Sequence, residues 1–250
     1  MLSISTRDKL KSYWVSWGNG NITAVEKLMQ NLPELLPLYR TPQSKSVHAE
    51  GDAAKHTLMV CEALNGLAET YGHDKGKIIR YAALLHDAAK PLTIKEAAPG
   101  VYSFNNVNVI SSSLARIILD KYTQIHLRER EHICALIKNH PMPFWLVENQ
   151  KPIRMLYKMS LECNIEFLFN IAKANYIGRS SPNLREKFEQ LENFKNWVVG
   201  NNLWGGKFWE GFISTDELTT FDKRAEVVKS MIDWQYLEGN IQSLNEVPAF

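Results

Sequence analysis

Eight residues, Leu84-Leu85-His86-Asp87-Ala88-Ala89-Lys90-Pro91, constrain this chain more than any other stretch. An apolar helix face, Ile78, Ile79, Ala82, Ala83 and Leu85, runs directly into an adjacent His-Asp pair. A Lys and a helix-stopping Pro follow within one turn. A histidine and an aspartate side by side at the end of a core helix are costly to bury unless something compensates them. A divalent ion is the usual compensation, because imidazole nitrogen and carboxylate oxygen both ligate Zn, Mn, Fe or Mg. Alone, the dipeptide reads as the polar end of a helix; its meaning depends on what lies around it.

At 250 residues the chain is long enough for one sizeable domain, with or without an appended lobe. With 45% hydrophobic and 22% charged residues it has the balance of a globular rather than a disordered protein. A formal charge of +2 gives no reason to expect DNA or an acidic membrane as partner. Cys61, Cys134 and Cys163 are scattered and lack Cys-x-x-Cys spacing, which fits packed, reduced thiols. Met1 to Trp17 lacks the apolar core of a signal peptide. No apolar run approaches the ~20 residues that span a bilayer. The expectation is a cytoplasmic protein with an idle Asn21-Ile22-Thr23 sequon.

Residues 8–17 and 22–31 read as two helices broken by Gly18-Asn19-Gly20, with Thr23 as N-cap of the second. Leu32 to Gln43 carries three prolines and reads as an irregular connection. A polar turn, His48 to Asp52, precedes a helix over Ala53 to Tyr71 that Gly72 closes. His56 lies in its first turn. Further helices are expected over 77–89, 110–122, 128–139, 152–162, 164–178, 184–199 and 215–237. The sole extended piece expected is Val101 to Phe104. Trp197, Trp204, Trp209 and Trp234 crowd the last quarter, where they are expected to pack a C-terminal lobe against the core. The fold class is all-α: a helical domain over 1–182 with a C-terminal helical extension over 183–250.

His56, His86, Asp87 and His140 are polar positions in apolar helical surroundings, and singly each could be structural. Jointly, a helix-borne His followed about thirty residues on by a helix-terminal His-Asp resembles the HD metal-dependent phosphohydrolase superfamily. The similarity is greater to the C-terminal HD domain of bacterial CCA-adding tRNA nucleotidyltransferases. It is carried by Leu32-Pro-Glu-Leu, Thr41-Pro42-Gln43, His48-Ala-Glu50-Gly-Asp52, His56-Thr57-Leu58 and the eight residues from Leu84. Ser103-Phe104, Ser111 to Ala115, His140 and Ala174-Asn175-Tyr176-Ile177-Gly178-Arg179 continue it over roughly residues 30–182. No Gly-Ser with a following pair of aspartates precedes this part, so the expectation is a free-standing HD protein without CCA addition.

The resemblance implies that His56, His86 and Asp87 hold one divalent ion (Mn, Mg, Ni, Fe or Zn). It further implies that Asp87 orients or deprotonates the attacking water and that Lys90 meets a substrate phosphate. His140 would be a second-metal ligand or a phosphate contact. His48, Glu50 and Asp52 would form the rim or the layer behind the ligands, and Arg179 would lie beside the substrate. Two departures stand out. Val107 occupies the place of a family histidine, which argues against two metals. Asn175 occupies the place of an aspartate, an uncharged and weaker ligand for a hard cation. The implied function is hydrolysis of a nucleotide or small phosphodiester, such as a 2′,3′-cyclic phosphate or a nucleoside monophosphate, with a small phosphorylated substrate, a nucleotide or an RNA end as partner. The alternative is a degenerate HD domain that binds a nucleotide, RNA or protein without turnover.

Overall fold

The computed structural model describes residues 4–149, 151, 153–179 and 184–206. The expected 215–237 helix, Trp209 and Trp234 lie outside the described residues. In chain order the elements are α1 (Ile4–Gly18), α2 (Thr23–Asn31), a 3-10 turn (Leu36–Arg40) and α3 (Ala53–Ala68). A second 3-10 turn (Glu69–Tyr71) leads into α4 (Gly72–Leu85) and α5 (Lys90–Thr93), then the strands β1 (Ile94–Ala98) and β2 (Val101–Phe104). Helices α6 (Val107–Tyr122), α7 (Leu127–Asn139), α8 (Met142–Glu148), α9 (Ile153–Glu162), α10 (Ile165–Ile177) and α11 (Leu184–Gly200) complete the all-α fold.

Helix α4 is the hub. Every residue from Ile78 to Leu85 is buried, Arg80 included, so this half of the helix must be surrounded. Helices α1, α3, α7 and α10 surround it. Tyr81 Oη donates to the Trp14 carbonyl (2.7 Å) and Trp17 Nε1 to the Arg80 carbonyl (3.0 Å), which ties α1 to α4. The Arg80 guanidinium joins three elements, donating to Asn65 Oδ1 (2.8 Å) in α3 and to the Gly18 carbonyl (3.0 Å). Core and site meet at the C-terminal end of this helix.

Several local expectations are corrected. Pro91 does not stop α4, which ends at Leu85; it sits in the first turn of α5, where a missing N–H costs nothing. Thr23 is the first residue of α2, and its N–H and hydroxyl donate to Asn21 Oδ1 (3.1 and 2.8 Å). Asn21 thus supplies the oxygen expected of Thr23. The extended piece at 101–104 has an antiparallel partner, β1, in register Ile94↔Phe104 with a bulge between Glu96 and Ala98. Strand β1 buries no face, so its sequence IKEAA carries no alternation to read. Helix α8 was also not expected, its prolines lying at and near its N-terminus.

The three cysteines are free and buried. Helix α11 packs through Leu191, Phe194 and Val198, with α8 and α10 as its main neighbours. Trp197 and Trp204 rest on the core, Trp204 edge-on to Phe169 at 5.3 Å between ring centroids. Among the described residues no helix is long and apolar enough to cross a membrane.

Candidate metal centre

Helix termini aim the imidazoles. His86 is the C-cap of α4 and His140 the C-cap of α7. Each donates Nδ1–H to the carbonyl three residues back, His86 to Ala83 and His140 to Ile137, both at 2.8 Å. These are carbonyls that a helix end leaves without an intrahelical partner. The bond fixes both rings as Nδ1–H tautomers with the lone pair on Nε2. The rings lie edge to face, 5.2 Å between centroids.

His56 enters from α3, whose start is set by Asp52. Asp52 Oδ1 accepts from the Lys55 amide at 2.8 Å as N-cap. Asp52 therefore supports the site through the helix rather than from a pocket rim. His56 Nε2 lies 3.0 Å from Asn175 Oδ1 and 3.5 Å from Asp87 Oδ2. Its Nδ1 lies 3.2 Å from the Gly178 carbonyl and 3.1 Å from Glu50 Oε1. Helices α3 and α10 reach this separation because position 178 is glycine: a Cβ there would stand 2.7 Å from the Val60 backbone nitrogen.

One ligand atom each from His56, His86 and Asp87 lies within 4.8 Å of the others, and all three residues are buried. His86 Nε2 is 3.0 Å from Asp87 Oδ2, yet it has no hydrogen-bond donor. A lone pair facing a carboxylate in a dry interior is repulsive unless a cation sits with them or the ring takes a second proton. The donor set of imidazole nitrogens, a carboxylate and the Asn175 amide oxygen suits a divalent ion of intermediate hardness. The residues present therefore fit a metal. Val107, the first residue of α6, offers no ligand atom.

Burial is the largest influence on the three imidazoles His48, His56 and His140. Burial lowers His48 to about 4, with Lys90 and Arg179 acting in the same direction and Glu50 opposing. Burial likewise takes His56 to about 3 and His140 to about 4. For Asp87, burial alone would raise the carboxyl; His86, Lys90 and His56 outweigh it and hold the group well below the usual carboxylate range.

Lys90 Nζ lies 2.8 Å from Asp87 Oδ2, donates to Gln43 Oε1 and stands 5.2 Å from the centre of the Phe104 ring. In this structure it is thus committed to Asp87 and Gln43. Arg179 donates from Nη2 and Nε to Asn175 Oδ1 (3.2 and 3.4 Å). His48 Nδ1 is 2.7 Å from Glu50 Oε1. Gln43 also donates to the Asp52 carbonyl (3.1 Å), and its neighbour Ser44 bonds Tyr102 of β2 through both N–H (2.7 Å) and carbonyl (3.2 Å). None of Gln43, His48, Glu50, His56, His86, Asp87, Lys90, His140 and Asn175 is more than 8% exposed. Gln43 is the member with no expected role; a polar residue after Pro42 in an irregular connection gave no hint that it would face Lys90.

Residues 53–159 match the family model of the HD domain. The segment that carries His56, His86, Asp87 and His140 is an HD domain, as its resemblance implied. Relatives include the multifunctional CCA protein of Halorhodospira halophila, 43% identical over 72 residues, 29% of this chain and 16% of that protein. That of Shewanella frigidimarina is 36% identical over 94 residues (37% and 21%). That of Aliivibrio salmonicida is 27% identical over 209 residues (79% and 48%). The chain spans less than half the length of each of these three proteins.

Proposed function

We propose that this chain is a metal-dependent phosphohydrolase that acts on a nucleotide or a small phosphodiester, such as a nucleoside monophosphate or a 2′,3′-cyclic phosphate. The observation that carries the reading is the buried convergence of His56, His86 and Asp87, with His86 Nε2 turned toward Asp87 without a donor. His56, His86 and Asp87 would hold one divalent ion, with Asn175 as a weaker fourth ligand. Such an ion lowers the pKa of water toward neutrality and polarises a phosphoryl oxygen.

The protein's own groups do the rest. Asp87, held ionised, accepts a hydrogen bond from the attacking water and orients it. Lys90 supplies a point charge for a phosphate oxygen once Gln43 yields its place. Arg179, half-buried beside Asn175, offers a planar second cation for the same phosphate. His140 presents Nε2 as a hydrogen-bond acceptor toward the same cluster. The names of the relatives, multifunctional CCA proteins, support an RNA end or a nucleotide as substrate. The same reading places the protein in the cytoplasm and takes 183–250 as a C-terminal extension of the HD part, of which 183 and 207–250 lie outside the described residues.

The test is elemental analysis of purified wild type beside His86→Ala, with a panel of phosphodiesters and nucleotides under added Mn, Ni and Mg. About one metal per chain, lost in the variant together with turnover while helicity stays, is the expected result. Turnover that survives His86→Ala or Asp87→Ala overturns the assignment. The uncharged Asn175 favours a second reading, a binding module without turnover. An inert wild type that gains metal and activity on Asn175→Asp would establish that reading.

A further inference from the structure

Behind the ligand set lies a carboxylate whose effect on the ligands is still to be assigned. Glu50 is buried between two imidazoles, its Oε1 2.7 Å from His48 Nδ1 and 3.1 Å from His56 Nδ1. The two rings meet edge to face with centroids 4.8 Å apart. We propose that Glu50 is a positioning residue that fixes His56 as its Nδ1–H tautomer and so turns the Nε2 lone pair toward the metal. This deepens the metal-centre reading and rests on it.

The argument is a choice between two sides of one ring. A neutral imidazole carries one proton, and it goes where the surroundings are more negative. At Nδ1 stand the Glu50 carboxylate and the Gly178 carbonyl, at 3.1 and 3.2 Å. At Nε2 stand the Asn175 amide oxygen at 3.0 Å and the Asp87 carboxylate at 3.5 Å. The Asp87 oxygen is already neutralised by Lys90 at 2.8 Å, and Arg179 draws on the Asn175 oxygen. Glu50 is the nearer of the two carboxylates to His56, at 3.1 Å against 3.5 Å for Asp87. His86 and His140 obtain the same tautomer from helix-end carbonyls. His56 sits in the first turn of its helix, where no such carbonyl exists, and needs a partner from elsewhere in the fold. A carboxylate behind a ligating histidine both orients it and raises its basicity. His48 anchors the other side of Glu50 by donating Nδ1–H.

Long-range proton–nitrogen correlation on metal-free protein reads the tautomer directly. Wild type is expected to show His56 protonated at Nδ1. In Glu50→Gln, whose amide can offer an N–H to Nδ1, the proton is expected at Nε2. Competition with a chromogenic chelator for Mn or Zn should then show affinity falling ~10–100-fold in Glu50→Gln, with partial recovery in Glu50→Asp. Nε2-protonated His56 in wild type, or wild-type tautomer and affinity in Glu50→Gln, overturns the proposal. Should Glu50→Gln fail to fold, the wild-type tautomer and the Glu50→Asp affinity still decide. A wild type that binds no metal, yet changes tautomer on Glu50→Gln, sinks the metal-centre reading and leaves the orienting role of Glu50 in place.

Discussion

Lys90 and Asp87 form an ion pair inside the core, Nζ to Oδ2 at 2.8 Å, one helical turn apart and each about 5% exposed at the side chain. Such a pair is costly to break because the survivor remains charged and dry. Lys90→Met is expected to lose about 3 kcal/mol of stability in the presence of a chelator. The double variant Asp87→Asn/Lys90→Met is expected to lose less than the sum of the two single changes, because neither charge is left stranded. Urea midpoints of the four proteins in EDTA check this; additive losses would mean that the pair contributes nothing to folding.

Gly178 closes the distance between α10 and α3. With Ala at this position, the new Cβ meets Val60 backbone nitrogen and Cγ2, both at 2.7 Å. Overpacking of this kind typically costs about 1–3 kcal/mol. The displaced element carries Asn175 and the carbonyl facing His56 Nδ1, so metal affinity should fall with stability. Combining it with Val60→Ala removes only the Cγ2 contact and is expected to restore little. Thermal unfolding and metal titration of Gly178→Ala, Val60→Ala and the double variant give the answer, and a Gly178→Ala protein as stable as wild type would contradict it.

His132 makes folding depend on pH at a place remote in sequence from the candidate ligands His56, His86 and Asp87. Its Nε2 accepts from the Asn164 amide at 3.0 Å, at the N-cap of α10, and its ring stacks on Phe167. Burial, aided by Arg128, lowers it to about 4. Because the unfolded chain protonates this ring near 6.5 and the folded one near 4, the stabilisation is complete above about pH 6.5. It is lost as pH falls from there to about 4, at up to ~1.4 kcal/mol per pH unit. Denaturant midpoints of wild type and His132→Gln between pH 7 and 4 should converge as pH falls. Parallel curves would show that His132 is not held neutral by the fold.

The sequence by itself determined the helical class, the hub helix and which residues are candidate ligands. Its apolar face from Ile78 to Leu85 makes a buried helix necessary, and His86-Asp87 at the end of that face must be compensated. Both are local properties, set by spacing along one chain segment. Elements without a buried face or a clean period escaped it, as β1 and α8 did.

Only the tertiary structure decided what each polar group faces. Asn175 and the Gly178 carbonyl reach His56 across 119 and 122 residues. Glu50 sits behind His56, Gln43 holds Lys90, and Asp52 begins α3. Candidate roles follow from the types of residue in a motif. Which nitrogen carries a proton, and which cation neutralises which carboxylate, follow from packing, since a buried charge answers to neighbours within a few ångströms that the chain order does not specify.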